Sequence, residues 1–178
     1  MRKKVWLCAA AIALVLCCAV GGTLAWLSDK TAPVTNTFTV GDINITLTES
    51  DNLDLKMVPG KIITKDPQVT VKAGSEACWL FVKVDKSANF DTFMTYAIAD
   101  GWTALPGVAG VYYREVPAAA VDTAFDVLKN SQVLVKEDVT KQQLQAVTGS
   151  LPTMTFTAYA VQKDNIPDAT TAWTKVTP

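Results

Sequence analysis

The sequence predicts an all-β protein, an antiparallel and jelly-roll-like β-sandwich with one or two short helices. Beyond residue 25 the chain is rich in Thr, Val and Ile, whose β-branched side chains favour strands. Short segments alternate apolar and polar residues, as half-buried strands do. Turn residues such as Pro59-Gly60 and Asp100-Gly101 separate these segments, and no strand–helix–strand rhythm indicates a parallel sheet.

The 178 residues divide into two parts of different composition. In residues 1–25 the only charges are Arg2, Lys3 and Lys4, and a hydrophobic run follows them. Removing this part takes away three of the 16 Lys and Arg but none of the 17 Asp and Glu, so the remainder is mildly acidic. We therefore predict a signal peptide with a hydrophobic helix over residues 1–25 and one β-sandwich domain over residues 26–178.

The predicted cleavage site follows the hydrophobic run. Thr23 and Ala25 place small residues where a signal peptidase requires them, so Trp26 becomes the new N-terminus. The domain then contacts the membrane only through the leader, before cleavage. A retained anchor is the alternative, since the uncharged stretch Val5–Leu27 is long enough to span a bilayer.

Composition argues against several classes of function. A mildly acidic domain without clustered Lys and Arg is a poor nucleic-acid binder. The chain contains no histidine, which removes His-based catalytic triads and His metal sites. We predict no catalytic residue, no cofactor and no enzymatic activity. Cys78, which is the only cysteine after the leader, begins an apolar run and is expected to be a buried thiol.

Alternating segments place the strands along the chain. Ile43, Ile45 and Leu47 share one face of the first clear strand. In the run from Cys78 to Val84 one face carries Cys78, Leu80, Val82 and Val84, and the other carries Trp79, Phe81 and Lys83. All the predicted strands are Phe38–Val40, Ile43–Leu47, Gln68–Val71, Cys78–Val84, Thr95–Ala99, Val111–Val116, Phe125–Leu128, Val133–Val135 and Thr153–Gln162.

Two short helices are predicted from their N-terminal signals. Thr140 and Gln143 form a capping-box pattern, after which Leu144 and Val147 would pack inward. Asp168 follows a proline and is expected to cap a single helical turn that contains Trp173.

Three further groups are candidate binding features, each with a structural alternative. Glu49, Asp51 and Asp54 supply oxygen ligands for calcium but lack the EF-hand spacing, which favours a solvated loop. Trp79, Trp102 and Trp173 are either a carbohydrate platform or, given their apolar neighbours, core residues. Tyr112-Tyr113-Arg114 is either an interface feature or a strand with one exposed tyrosine.

Several motifs together resemble the TasA/camelysin (CalY) family, whose members carry an alternate signal peptide of the SipW-dependent type. The leader ends in a G-T-x-A pattern followed by an apolar and then an acidic residue, and further family-like blocks follow. These blocks are Gly22–Asp29, Asn36–Leu47, Val58–Gly60 with Lys65–Val69, Gly74-Ser75, and Ala158–Gln162 with Ala172-Trp173.

The resemblance implies a secreted protein of the Gram-positive cell surface or biofilm matrix, exported through a dedicated signal peptidase. TasA-like members form extracellular fibres in which the mature N-terminal segment of one subunit completes the sheet of the next. Camelysin-like members have been described as metalloproteases, a role that the absence of histidine disfavours here.

Residues 26–40 are the candidate donor strand in this sequence. Trp26, Leu27, Val34 and Phe38 supply its apolar side chains, and self-association through a sheet edge would follow. The alternative is an ordinary first strand of the same subunit. We therefore expect a fibre subunit, or else a monomeric, secreted or membrane-anchored binding module.

Overall fold

The computed structural model describes residues 41–50, 56–147 and 151–176. In these ranges there are ten strands and three short helices. The strands are β1 (Ile45–Thr48), β2 (Ile62–Thr64), β3 (Gln68–Val71), β4 (Cys78–Lys86), β5 (Met94–Ile98), β6 (Thr103–Ala104), β7 (Val111–Val116), β8 (Thr123–Asp126), β9 (Leu128–Val135) and β10 (Met154–Gln162). The helices are α1 (Phe90–Phe93), α2 (Lys141–Ala146) and α3 (Ala169–Val176).

All of these strands pair antiparallel, which confirms the predicted all-β class. The front sheet has the strand order β10-β4-β7-β6. Two three-stranded sheets, β1-β3-β8 and β2-β9-β5, form the back layer. Backbone hydrogen bonds continue across their junction, where the Val127 N–H donates to the Pro67 carbonyl and the Lys65 N–H to the Ser131 carbonyl.

The main core lies between the front sheet and the back layer. Leu80 and Val82 of β4 pack in one cluster with Val69 and Val71 of β3, and all four side chains are fully buried. A neighbouring cluster packs the β2-β9-β5 sheet against α1. The period-two alternation of the sequence therefore identified the inward faces of these strands correctly.

A third cluster covers the outer face of the front sheet. Trp79 and Phe81 point away from the main core and pack against Trp173 of α3. The ring centroids of Phe81 and Trp173 are 5.2 Å apart. Both faces of β4 are thus buried, which explains why its sequence is apolar without alternation.

Helix ends follow the predicted capping chemistry. Thr140 and Gln143 form a complete capping box at α2, and Leu144 and Val147 pack against the second cluster. At α3 the Thr171 N–H donates to a carboxylate oxygen of Asp168 at 2.8 Å. The capped helix α3 has eight residues and is therefore longer than the single turn that was predicted.

The Asp168 cap makes a prediction about pH. The backbone and hydroxyl hydrogen bonds from Thr171 lower the pKa of Asp168 below its ordinary 3.8. A carboxylate with a lowered folded-state pKa adds stability above its unfolded pKa, and that stability disappears as pH falls through the folded value. Asp168→Ala should therefore lower the urea midpoint clearly at pH 7 and much less at pH 3. Equal losses at both pH values would contradict the cap.

Three elements were not predicted, namely β2, β6 and α1. The expectation of one or two helices was therefore too low, because α1 has only four residues and its N-cap, Asn89, makes no side-chain capping hydrogen bond. The predicted strand Phe38–Val40 and the signal helix lie outside the described residues. Within the described ranges, no helix is both long and apolar enough to cross a membrane.

Candidate strand-docking edge

Strand β10 forms one edge of the front sheet and pairs with β4 along nine residues. The register places Thr153 opposite Ser87 and Lys163 opposite Ala77. The Ser87 N–H donates to the Thr153 carbonyl, and the Lys163 N–H donates to the Ala77 carbonyl. Since hydrogen-bonded positions alternate in an antiparallel ladder, the odd-numbered residues of β10 bond β4. The N–H and C=O groups on the even-numbered positions point to the opposite side: Met154, Phe156, Ala158, Ala160 and Gln162. No other strand of the described ranges pairs with them.

Strand β1 is the corresponding edge of the back layer. Asn44 accepts a backbone hydrogen bond from Lys72, so the even-numbered positions of β1 face β3. The backbone groups of Ile45 and Leu47 consequently point away from β3, where no other described strand pairs with them. β1 and β10 lie close together, with Cα atoms within 8 Å. We call this pair of strands the docking edge.

Side chains at the docking edge are apolar and incompletely covered. Ile45 and Leu47 of β1, and Phe156, Ala158 and Ala160 of β10, are only partly buried, although they pack on the main core. An added strand would cover these side chains and satisfy the outward backbone groups of one sheet. The arrangement is therefore suited to β-strand addition.

An apolar cavity of about 520 Å³ opens at the Met154 end of β10. Phe90, Met94 and Val133 are among its lining residues, together with Lys65. The Lys65 ammonium lies 5.4 Å from the ring centroid of Phe156 and forms an ion pair with Glu49. The cavity is therefore continuous with the docking edge through Met154 and is large enough for a small ligand or a bulky side chain.

Of the candidate calcium ligands, only Glu49 is described, and its carboxylate contacts Lys65. Asp51 and Asp54 lie outside the described residues, so the calcium loop stays a prediction. The cleavage-site residues Thr23 and Ala25 and the donor residues Trp26, Leu27, Val34 and Phe38 also lie outside them.

The three tryptophans are core residues and not an exposed platform. Trp79 and Trp173 belong to the outer cluster, whereas Trp102 belongs to the main core. Each is at most 9% exposed. In the Tyr112–Arg114 segment Tyr112 packs on the main core and Tyr113 on the outer face of the front sheet, as the alternation predicts, and both tyrosines are partly buried.

Cys78 is fully buried, and this burial raises the pKa of its thiol to about 11. The thiol is therefore protonated and inaccessible at neutral pH. We expect a chain that begins at Trp26 to react with a thiol reagent at pH 8 only after denaturation. One equivalent of rapid labelling in the native protein would contradict the burial of Cys78.

Metal-dependent catalysis requires a suitable set of donors. Catalytic zinc sites in proteases are built largely on histidine, and this chain has none. In the described part of the chain, no three Cys, Asp or Glu side chains cluster in a way that could hold a metal ion. The residues present therefore do not fit a zinc protease centre.

Comparison with known proteins gives one family match. Residues 1–78 match the sequence model of a family described as camelysin metallo-endopeptidase. The match extends from the leader through β1, β2 and β3 and ends at the first residue of β4. No curated protein and no solved structure matches the chain at a significant level.

Proposed function

We propose that the chain, whose residues 1–78 match the camelysin family model, is a secreted structural protein of the TasA/camelysin type that assembles by strand addition. The family is one of secreted or cell-surface proteins. In our proposal the segment 26–40 of one subunit adds to the docking edge of the next. The observation that carries it is the nine-residue β10, which pairs along one side only within the described fold.

Chemistry on both sides of this contact is complementary. The segment offers apolar side chains, Trp26, Leu27, Val34 and Phe38, and Pro33 disfavours a helical conformation of the residue before it. The docking edge offers outward N–H and C=O groups beside partly buried Ile45 and Phe156. Main-chain hydrogen bonds would provide affinity, and the apolar side chains would set the register.

Export would control when assembly begins. Before cleavage the segment 26–40 is joined to the hydrophobic leader, and the predicted cut after Ala25 releases its end. A dedicated signal peptidase would then be the first partner of the chain, and a second copy would be the next. Extracellular fibres at the cell surface or in a biofilm matrix are the proposed product.

Removing residues 26–33 tests this function. The chain from Trp26 should form filaments visible by electron microscopy and show concentration-dependent sedimentation, whereas the shortened chain should be a folded monomer. Phe38→Ala should weaken assembly more than Thr37→Ala, because neighbouring residues of an extended segment face opposite sides. Global unfolding of the shortened chain would instead support a first strand of the same subunit and overturn strand donation.

A monomeric binding module, secreted or membrane-anchored, is the second candidate. The cavity of about 520 Å³ favours it, since its size is typical of small-molecule sites. A chain from Trp26 that stays monomeric at high concentration and forms no filaments would favour this function over assembly. N-terminal sequencing of the exported protein distinguishes a released chain from an anchored one that retains Met1.

Proteolysis is the third candidate, and its only support is the description of the family. Because the donor set does not fit a zinc centre, we propose a role without catalysis. The purified chain with added zinc should cleave casein no faster than buffer does. Cleavage that a chelator abolishes would contradict this proposal.

A further inference from the structure

Arg114 occupies an unusual position on the side of the sandwich opposite the docking edge. It is paired with Leu80 in the β4–β7 ladder, so its side chain points towards the main core. Only two arginines occur in the sequence, Arg2 in the leader and Arg114, and every other cationic side chain is a lysine. The fold therefore uses its single guanidinium at an inward-facing position.

This guanidinium has no anionic partner among the described residues. Its Nε is enclosed and makes no hydrogen bond. The nearby carboxylates are engaged elsewhere: Glu115 pairs with Lys163, Asp100 with Lys129, and Asp126 accepts a hydrogen bond from the Gln68 amide. Partial burial without a counter-charge lowers the pKa of Arg114. An arginine in such surroundings gains from any carboxylate that reaches it.

Surrounding groups hold the guanidinium in a fixed plane. Its central carbon lies 3.8 Å from the ring centroid of Phe125 and 5.3 Å from that of Trp102. The Trp102 indole N–H in turn donates to the Asp126 carbonyl at 2.8 Å, which fixes the indole. Gly101 leaves the necessary space, since a Cβ at that position would lie only 3.0 Å from Nη2.

We propose that Arg114 is a carboxylate-binding site, in which the two terminal nitrogens, Nη1 and Nη2, receive the two oxygens of the ligand. Nε is enclosed and takes no part. Stacking on Phe125 and Trp102 holds the planar guanidinium in one orientation before the ligand binds. This reduces the conformational entropy that is lost when a bidentate pair forms. The carboxylate belongs either to a free small molecule or to an acidic side chain of a second copy.

The Nε–H resonance of Arg114 in NMR tests this site. In the full chain carrying Arg2→Lys and held in detergent micelles, Arg114 is the only arginine and its signal is unambiguous. Sodium acetate should shift this signal and the Trp102 indole signal saturably, whereas sodium chloride at equal ionic strength should not. Absence of a saturable shift would overturn the proposal.

Matched variants separate binding from structure. Arg114→Met should lose the response of the Trp102 indole signal, Arg114→Lys should weaken it, and Lys175→Met, which removes an exposed cation of α3, should keep it. A response that appears only in Asp100→Asn would mean that Asp100 already pairs with Arg114, which would overturn the proposal. If Arg114→Met does not fold, the acetate response of the Trp102 indole signal is compared between Arg114→Lys and the parent chain. A weaker response in Arg114→Lys supports the site, and an equal response overturns it.

Dilution distinguishes the two sources of the carboxylate. Without acetate, a shift of the Arg114 signal that grows with protein concentration identifies a second copy as the ligand. A signal that is independent of protein concentration but responds to acetate identifies a free carboxylate. The assembly experiments on the docking edge involve neither Arg114 nor acetate, so their failure leaves this site unaffected.

Discussion

The substitution Ala158→Pro is expected to block self-association while leaving the fold intact. The N–H of Ala158 points away from β4 and bonds no other described residue, so proline removes only the group that an added strand would use. We expect the concentration at which assembly begins to rise at least about tenfold, which corresponds to about 1.4 kcal/mol. Sedimentation velocity and electron microscopy on the chain from Trp26 measure this effect.

Thr157→Pro is the matched control, one residue away in the same strand. The Thr157 N–H faces β4, so its loss leaves a carbonyl of the central strand unpaired at a cost of about 1–3 kcal/mol. This variant should lose stability by urea unfolding, whereas Ala158→Pro should not lose a comparable amount. Undiminished assembly by Ala158→Pro would show that β10 is not the docking strand. Equal destabilisation by both prolines would indicate that β10 is paired on both sides within one subunit.

The substitution Trp173→Ala is expected to cause the largest loss of stability outside the main core, about 3–5 kcal/mol. Trp173 is 9% exposed, and its ring packs against Phe81 and, edge to face at 5.3 Å, against Tyr159. Its removal would uncover the outer face of the front sheet. Urea unfolding followed by far-UV circular dichroism measures the change.

Thr174→Ala is the neighbouring control on the exposed side of the same helix, and it should change stability little. If both variants unfold at the same urea concentration as the parent chain, α3 does not pack on the front sheet in solution. Trp173 also contacts Tyr159 of β10, so Trp173→Ala tests the packing of α3 on the front sheet and not assembly at the docking edge.

Side-chain periodicity predicted which residues face the core but not which strands form the edges. The run beginning at Cys78 was correctly predicted as a strand, but its central position became evident only from its pairing with both β10 and β7. In β10, however, alternation is the same whether a strand is central or at an edge. The free side of β10 became evident only from its register with β4, a pairing between segments more than 60 residues apart.

Elements with little local signal were missed for physical reasons. The three residues of β2 follow a Pro-Gly turn and are too few to show a period. The helix α1 is held by the packing of Phe90 and Phe93 and not by a cap. Arg114 belonged to a segment that was correctly predicted as a strand, yet nothing in its neighbours indicated a stacked guanidinium, since Phe125 and Trp102 come from other elements.

The order of synthesis determines when β10 can complete the front sheet. β10 is made after the other nine described strands. Its partner β4 therefore cannot pair with it until the whole intervening chain has been made. A nascent chain can thus fold most of its back layer while the front sheet is still incomplete. If the chain assembles as proposed, the edge that accepts a neighbour does not exist until β10 has paired, and growth would be restricted to subunits whose folding is complete.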